Sequence, residues 1–152
     1  MIEKQAFYRG LNQQAQALLE GEPDLIANLA NLSALLALEL TDINWVGFYL
    51  LQGDTLVLGP FQGKPACVRI PVGRGVCGTA VAEGKTQLID DVHQFKGHIA
   101  CDGASNAEIV IPVRRGGEII GVLDIDSPIF NRFDEKDRIG LEETVQILES
   151  ML

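Results

Sequence analysis

Residues 101–127 read CDGASNAEIVIPVRRGGEIIGVLDIDS, and the fold of the chain turns on how this stretch is paired. EIVIPV and EIIGVLDID are β-branched runs separated by Arg-Arg-Gly-Gly, the pattern of two antiparallel strands joined by a short glycine-containing loop. With Arg115, Gly116 and Gly117 as a three-residue loop, Arg114 pairs with Glu118. Counting outward then sets Glu108 opposite Asp124, on the face that also carries Asp126. A slip of one residue would put Glu108 against Ile125 instead. In the first register three carboxylates crowd one end of a sheet, which is unfavourable unless some are protonated or a cation sits among them. Acids at strand ends are commonly just solvated. Asp124 and Asp126, however, close the apolar run IIGVL, where a buried strand should be dry.

Working outward, HQFKGHIACDGASN is a long polar connection that carries Cys101 into the hairpin, and loops of this kind act as lids. TQLIDDV before it is a further strand. After the hairpin Pro128 stops the strand, and Asp134, with Asp137 three residues on, opens a helix whose apolar side is Ile139, Val145, Ile147 and Leu148. At the other end, apolar residues recur at helical spacing from Glu3 to about Glu20, with Gly21 to stop the turn. A second, more thoroughly apolar helix follows Pro23 and should be buried against the sheet.

INWVGFYLLQGDTLVLGPFQG predicts two strands about a Gly53-Asp54 turn, with Trp45, Gly47 and Tyr49 on one face and Val46, Phe48 and Leu50 on the other. Strand aromatics are usually core. Gly47 between two rings leaves space above the sheet, which argues for a pocket. ACVRIPVGRGVCGTAVAEGK then passes from a short strand through a glycine-rich turn into a short helix beginning near Cys77. Gly73, Gly75 and Gly78 match the dinucleotide fingerprint, but the helix is interrupted by Gly84 and the surroundings look antiparallel, so a nicotinamide or flavin site is rejected. What survives is a helix start whose free N–H groups can hold a small anion such as a carboxylate. Helices at both chain ends around a central antiparallel sheet make the class α+β.

The chain has 152 residues, 47% of them hydrophobic, which fits one domain over residues 1–152 with a sizeable core. A net charge of −9, with no basic cluster beyond Arg114-Arg115, argues against nucleic acid or an anionic membrane as partner and favours a small-molecule ligand. The start of the chain lacks signal-peptide character, and no apolar run reaches the roughly 18 residues of a membrane span, so the expected location is the cytoplasm.

Three cysteines, Cys67, Cys77 and Cys101, are too few and too irregular for a disulfide framework in a reducing compartment. Zinc held through these sulfurs with His93 or His98 has no Cys-x-x-Cys knuckle to support it, and no metal is expected. Three inert core thiols are the simplest alternative, weakened because Cys77 and Cys101 lie in glycine-rich or polar sequence. Cys101 is the best candidate nucleophile. Neighbouring Asp102 raises its pKa and no activating base is visible, so a substrate that an acid can activate, such as an oxidised sulfur, is the natural match.

The stretches INWVGFYL, GPFQGKPACVRIPVGRGVCGTA, FKGHIACDGASNAEIVIPV and GVLDIDSP followed by FNRFDEKD closely resemble the free methionine-(R)-sulfoxide reductases, a branch of the GAF-domain superfamily, across essentially the whole chain. The resemblance implies a GAF fold, an antiparallel sheet with helices on one side, whose ligand cavity has become an active site. It implies that Cys101 is the catalytic cysteine, Cys67 the usual resolving cysteine and Cys77 a third. Glu108, Asp124 and Asp126 match the acids that bind the substrate ammonium and polarise the sulfoxide, and Trp45 and Tyr49 the rings that enclose its side chain. It further implies free methionine sulfoxide as substrate, no bound cofactor, thioredoxin or another dithiol as external reductant, and a homodimer. A non-catalytic GAF module sensing a small ligand, and a redox switch without turnover, are the rival readings. Such modules usually sit beside output domains.

Overall fold

The computed structural model describes residues 3–99 and 103–152. Helical periodicity near the start of the chain becomes α1 (Lys4–Leu19), capped by the Glu3 carboxylate, and α2 (Leu25–Glu39), capped by Asp24. Asp134 and Asp137 form the capping box that starts α4 (Glu135–Glu149). Between them lie β1 (Trp45–Gln52), β2 (Thr55–Gly63), β3 (Arg69–Pro71), α3 (Gly75–Glu83), β4 (Gln87–Ile89), β5 (Ala107–Arg115) and β6 (Glu118–Ser127). The strands make one six-stranded sheet in the order β3-β2-β1-β6-β5-β4, antiparallel at every pairing. The expected α+β class therefore holds.

Strand alternation divides the core in two. Val46, Phe48, Ile109, Ile111, Leu123 and Ile125 face α1, α2 and α4, and meet Leu11, Leu32, Leu36, Leu141 and Leu148. Each such fully buried aliphatic side chain contributes roughly 1.5–3 kcal/mol. The opposite face carries Trp45, Tyr49, Val110 and Val122 beneath Val76, Cys77 and Ala80 of α3. Three helices thus lie on one side as a GAF fold requires, and α3 roofs the other.

Two helical expectations need correction. The second helix buries one face only, through Leu29, Leu32 and Leu36, because the sheet covers a single stripe; Leu38 remains 78% exposed. In α4 the inward stripe runs through Gly140, Leu141, Thr144, Val145 and Leu148, which turns Ile139 outward.

The hairpin register also differs from the expected one. Arg115 pairs with Glu118, so the loop is Gly116-Gly117 alone, at φ 58 and 85. Two successive positive φ values define the tight turn whose twist suits a hairpin, and paired glycines take it without strain. Farther along, Ile120 is an extra residue in β6, between the pairs Arg114–Ile119 and Val113–Gly121. The shorter loop and the bulge each move the register by one residue in the same direction. Glu108 therefore faces Asp126, not Asp124, and Asp124 faces Val110. Because the total shift is even, every side chain keeps its predicted face.

Candidate active site

Pairing of β1, β6 and β5 builds the floor of a cleft in two rows. Trp45, Asp126 and Glu108 lie abreast in one row, and Gly47, Asp124 and Val110 in the next. The three acids are thereby brought together, with Trp45 and Tyr49 flanking them along β1. The cavity above this floor measures about 50 Å³.

The aromatic wall is a stack. Trp45 lies 5.9 Å from Tyr49 and 5.1 Å from Phe61, centroid to centroid, near parallel in both cases. Gly47 does not open space as expected; it admits Phe61, since a Cβ there would sit 2.2 Å from the Phe61 Cβ. The rings' polar handles fasten the segment that crosses the mouth. Trp45 Nε1 donates to the Lys64 carbonyl at 3.1 Å, and the Tyr49 hydroxyl donates to the Cys67 carbonyl at 2.9 Å. Pro65 and Ala66 between these anchors line the cleft. Cys67 is disulfide-bonded and Cys77 is a free thiol. Cys101 lies outside the described residues; Ile99, two positions earlier in the sequence, lines the cleft with His98.

Burial decides the electrostatics. Glu108 and Asp124 are 7% and 5% exposed, and no Lys or Arg is among the described lining residues. Burial first, and then the charges of Asp124 and Asp126, push Glu108 well above the carboxylate range. Burial also raises Asp124, and hydrogen bonding within the cluster of Glu108, the Cys77 thiol and Asp126 offsets part of that rise. The two acids interact and titrate as a group, both held above the ordinary carboxylate range by burial. Asp124 Oδ1 is buried without a hydrogen-bond partner among the described residues.

Cys77 sits in α3 with its side chain buried, not in an open glycine-rich loop. Burial and the charge of Asp124 raise its thiol well above the ordinary range, so it stays protonated. The α3 N-terminus beside it has no side-chain cap, and Gly75, Val76 and Cys77 line the cleft. The Gly73 N–H is not free, because it donates to the Gly78 carbonyl at 2.9 Å. His98, whose ring is held down in pKa by burial and by His93, and Ser105, which accepts from the Asn44 amide at 3.1 Å, complete the rim. Neither was expected at the cleft, because both belong to one polar connection whose sequence has no periodicity to say which side chains turn inward.

The arrangement suits one kind of ligand. A neutral buried acid can protonate an oxygen, an adjoining anion can hold a cation, stacked rings can enclose an apolar chain, and an uncapped helix start can meet a carboxylate.

Comparison with known proteins shows what the chain is similar to. The GAF domain family model matches residues 26–152. A free methionine-R-sulfoxide reductase of Escherichia coli is 62% identical, over 99% of this chain and 92% of that protein. The structure of fRMsr of Staphylococcus aureus in complex with substrate superposes with a TM-score of 0.92 at 59% identity, over 95% of each chain. The free methionine-R-sulfoxide reductase of Neisseria meningitidis in complex with its substrate gives 0.95 at 46% identity, over 99% of this chain and 91% of that one.

Proposed function

The chain belongs to the free methionine-(R)-sulfoxide reductases of the GAF-domain family, and from that premise we propose how its cleft reduces free L-methionine-(R)-sulfoxide to L-methionine. The observation that carries the reading is the buried acid pair, in which Glu108, raised well above the carboxylate range by burial and neighbouring charge, stands beside Asp124 in a cleft with no Lys or Arg among its described lining residues. Such a site accepts a substrate that brings its own ammonium and needs one proton.

In this mechanism the ammonium binds Asp124 and Asp126, the carboxylate meets the α3 N-terminus, and the methylsulfinyl chain lies against Trp45 and Tyr49. The Cys101 sulfur attacks the sulfoxide sulfur while Glu108 delivers a proton to its oxygen. The new sulfur–sulfur bond then breaks as the hydroxyl passes to Cys101, releasing methionine and leaving a sulfenic acid on Cys101. The Cys67 thiol then condenses with it, forming a disulfide and releasing water, and a dithiol reductant returns two electrons by exchange. The disulfide at Cys67 and the grip of Tyr49 on its carbonyl support that order. Cys77, buried and protonated, acts as a hydrogen-bond donor to Asp124 and not as a redox partner.

No bound cofactor enters this scheme. Thioredoxin is the reductant, the cytoplasm is the compartment that keeps such a dithiol reduced, and the working form is a homodimer. Among the described residues no helix is long and apolar enough to cross a membrane. Incubating the reduced chain with free methionine sulfoxide and a thiol reductant tests the reading. Catalytic methionine formation is expected, whereas binding without turnover would make the chain a sensor module and disulfide formation without methionine a redox switch.

A further inference from the structure

The zinc ligands considered from the sequence were sulfur and imidazole; the fold assembles a different set. Cys77 Sγ, a carboxylate oxygen of Glu108 and one of Asp124 all lie within 4.8 Å of one another. The three residues are 3%, 7% and 5% exposed and share the cleft wall. A second observation points to a cation there, because Asp124 Oδ1 is buried and has no donor among the described residues. An acceptor left dry in this way is unfavourable until something positive reaches it.

We propose that Cys77, Glu108 and Asp124 bind a borderline-soft divalent cation such as zinc, and that this cation and the free amino-acid substrate exclude each other. One sulfur and two carboxylate oxygens, with a position open to the cleft, is a three-ligand site of the kind zinc occupies with an exchangeable fourth partner. The thiolate selects against magnesium and calcium, which take oxygen ligands only. Metal–sulfur and metal–oxygen bonds of about 2.3 and 2.1 Å place tetrahedral ligand atoms roughly 3.6 Å apart, so the three ligand atoms draw together on binding. On binding, the Cys77 thiol and the Glu108 carboxyl release their protons to solvent, metal–sulfur and metal–oxygen bonds form, and the ion sheds water. No electrons move.

The exclusion rests on the reductase reading, since the ion takes the carboxylate that would hold the substrate ammonium and removes the proton that the sulfoxide oxygen needs. Metal load would then switch the reductase off reversibly, without touching Cys101.

Cadmium titration of the oxidised full-length chain tests the site, because there Cys67 is in its disulfide and Cys77 is free. A single equivalent should bind and give the ultraviolet sulfur-to-cadmium charge-transfer band. Cys77→Ser should abolish the band, and Asp124→Asn and Glu108→Gln should each weaken binding by at least roughly tenfold, the loss that even an outer-shell partner causes. Free methionine sulfoxide should displace the metal from the wild-type chain, an arm that needs no variant to fold. The site is overturned by absence of the band, by its survival in Cys77→Ser, or by indifference to both carboxylate variants; the exclusion is overturned if saturating substrate leaves cadmium bound. Turnover measured in parallel with a chelator keeps the two ideas apart. Turnover without cadmium binding overturns the metal site alone, and cadmium binding without turnover overturns the reductase reading alone.

Discussion

Acetylating the amine of methionine sulfoxide should all but abolish its reduction. The cleft has no Lys or Arg among its described lining residues, and Asp124 is 5% exposed with Oδ1 unpartnered among the described residues. In the proposed mechanism the substrate ammonium is the cation that completes this site, and removing it leaves a carboxylate charge buried and unpaired. Breaking a buried pair costs about 3–5 kcal/mol, which at 1.36 kcal/mol per decade is roughly two to nearly four orders of magnitude in kcat/KM. The assay is product release from free and N-acetyl methionine sulfoxide under one reductant. The acetyl group also adds bulk, so a third substrate, the analogue with hydrogen in place of the amine, separates charge from size. Both modified substrates should fall by comparable factors, and Asp124→Asn should narrow the gap between free and modified forms as it lowers activity. Similar efficiency for all three substrates in the wild-type enzyme would refute the ammonium site and leave the acid cluster in need of another explanation.

Other consequences concern the cysteines, the proton and the aromatic anchor. Cys101→Ser should abolish even single-turnover methionine release, whereas Cys67→Ser should release about one equivalent and then recycle poorly with thioredoxin; rapid-quench product counting distinguishes them. Glu108 is raised in the folded chain, so the stability it contributes is present below the ordinary carboxylate range and is lost as pH rises toward its raised value. Thermal melts across that range should show Tm falling with pH in the wild type. Glu108→Gln should flatten the slope, gain roughly 0.5–2 kcal/mol or about 2–8 °C at neutral pH, and lose activity. Tyr49→Phe removes the hydrogen bond to the Cys67 carbonyl but keeps the ring, and at about 0.5–1.5 kcal/mol it should slow recycling roughly two- to tenfold with a smaller change in KM.

What the sequence made legible was set by periodicity. Alternation in WVGFYL and in VLDID assigns faces correctly, and faces are enough to bring Trp45, Tyr49, Glu108, Asp124 and Asp126 to one cleft. Register was not legible, because it depends on whether Gly116-Gly117 closes the turn alone and on a bulge at Ile120 that no residue type announces. The face assignments survived only because those two shifts add to an even number. Gly47 was misread for a related reason: a missing side chain marks either space or close approach, and only the position of Phe61 decides between them. The helix expected near Cys77 is α3, but the burial of its thiol was not legible, because glycine neighbours suggest open sequence whereas α3 packs Cys77 into the cluster with Val110 and Val122. The rim residues Pro65, His98 and Ser105 come from separate parts of the connections, and nothing local in those segments says that they converge.

The central claim is that this cleft presents one epimer of a free amino-acid sulfoxide to Cys101 with a proton ready on Glu108. Its most direct test is the end point of the reaction on racemic free methionine sulfoxide with dithiothreitol in excess, read by chiral separation of what remains. Conversion should stop near half, with the S-sulfoxide left intact and the R-sulfoxide gone. Complete consumption of both epimers, or no methionine from protein that is folded and reduced, would contradict the account.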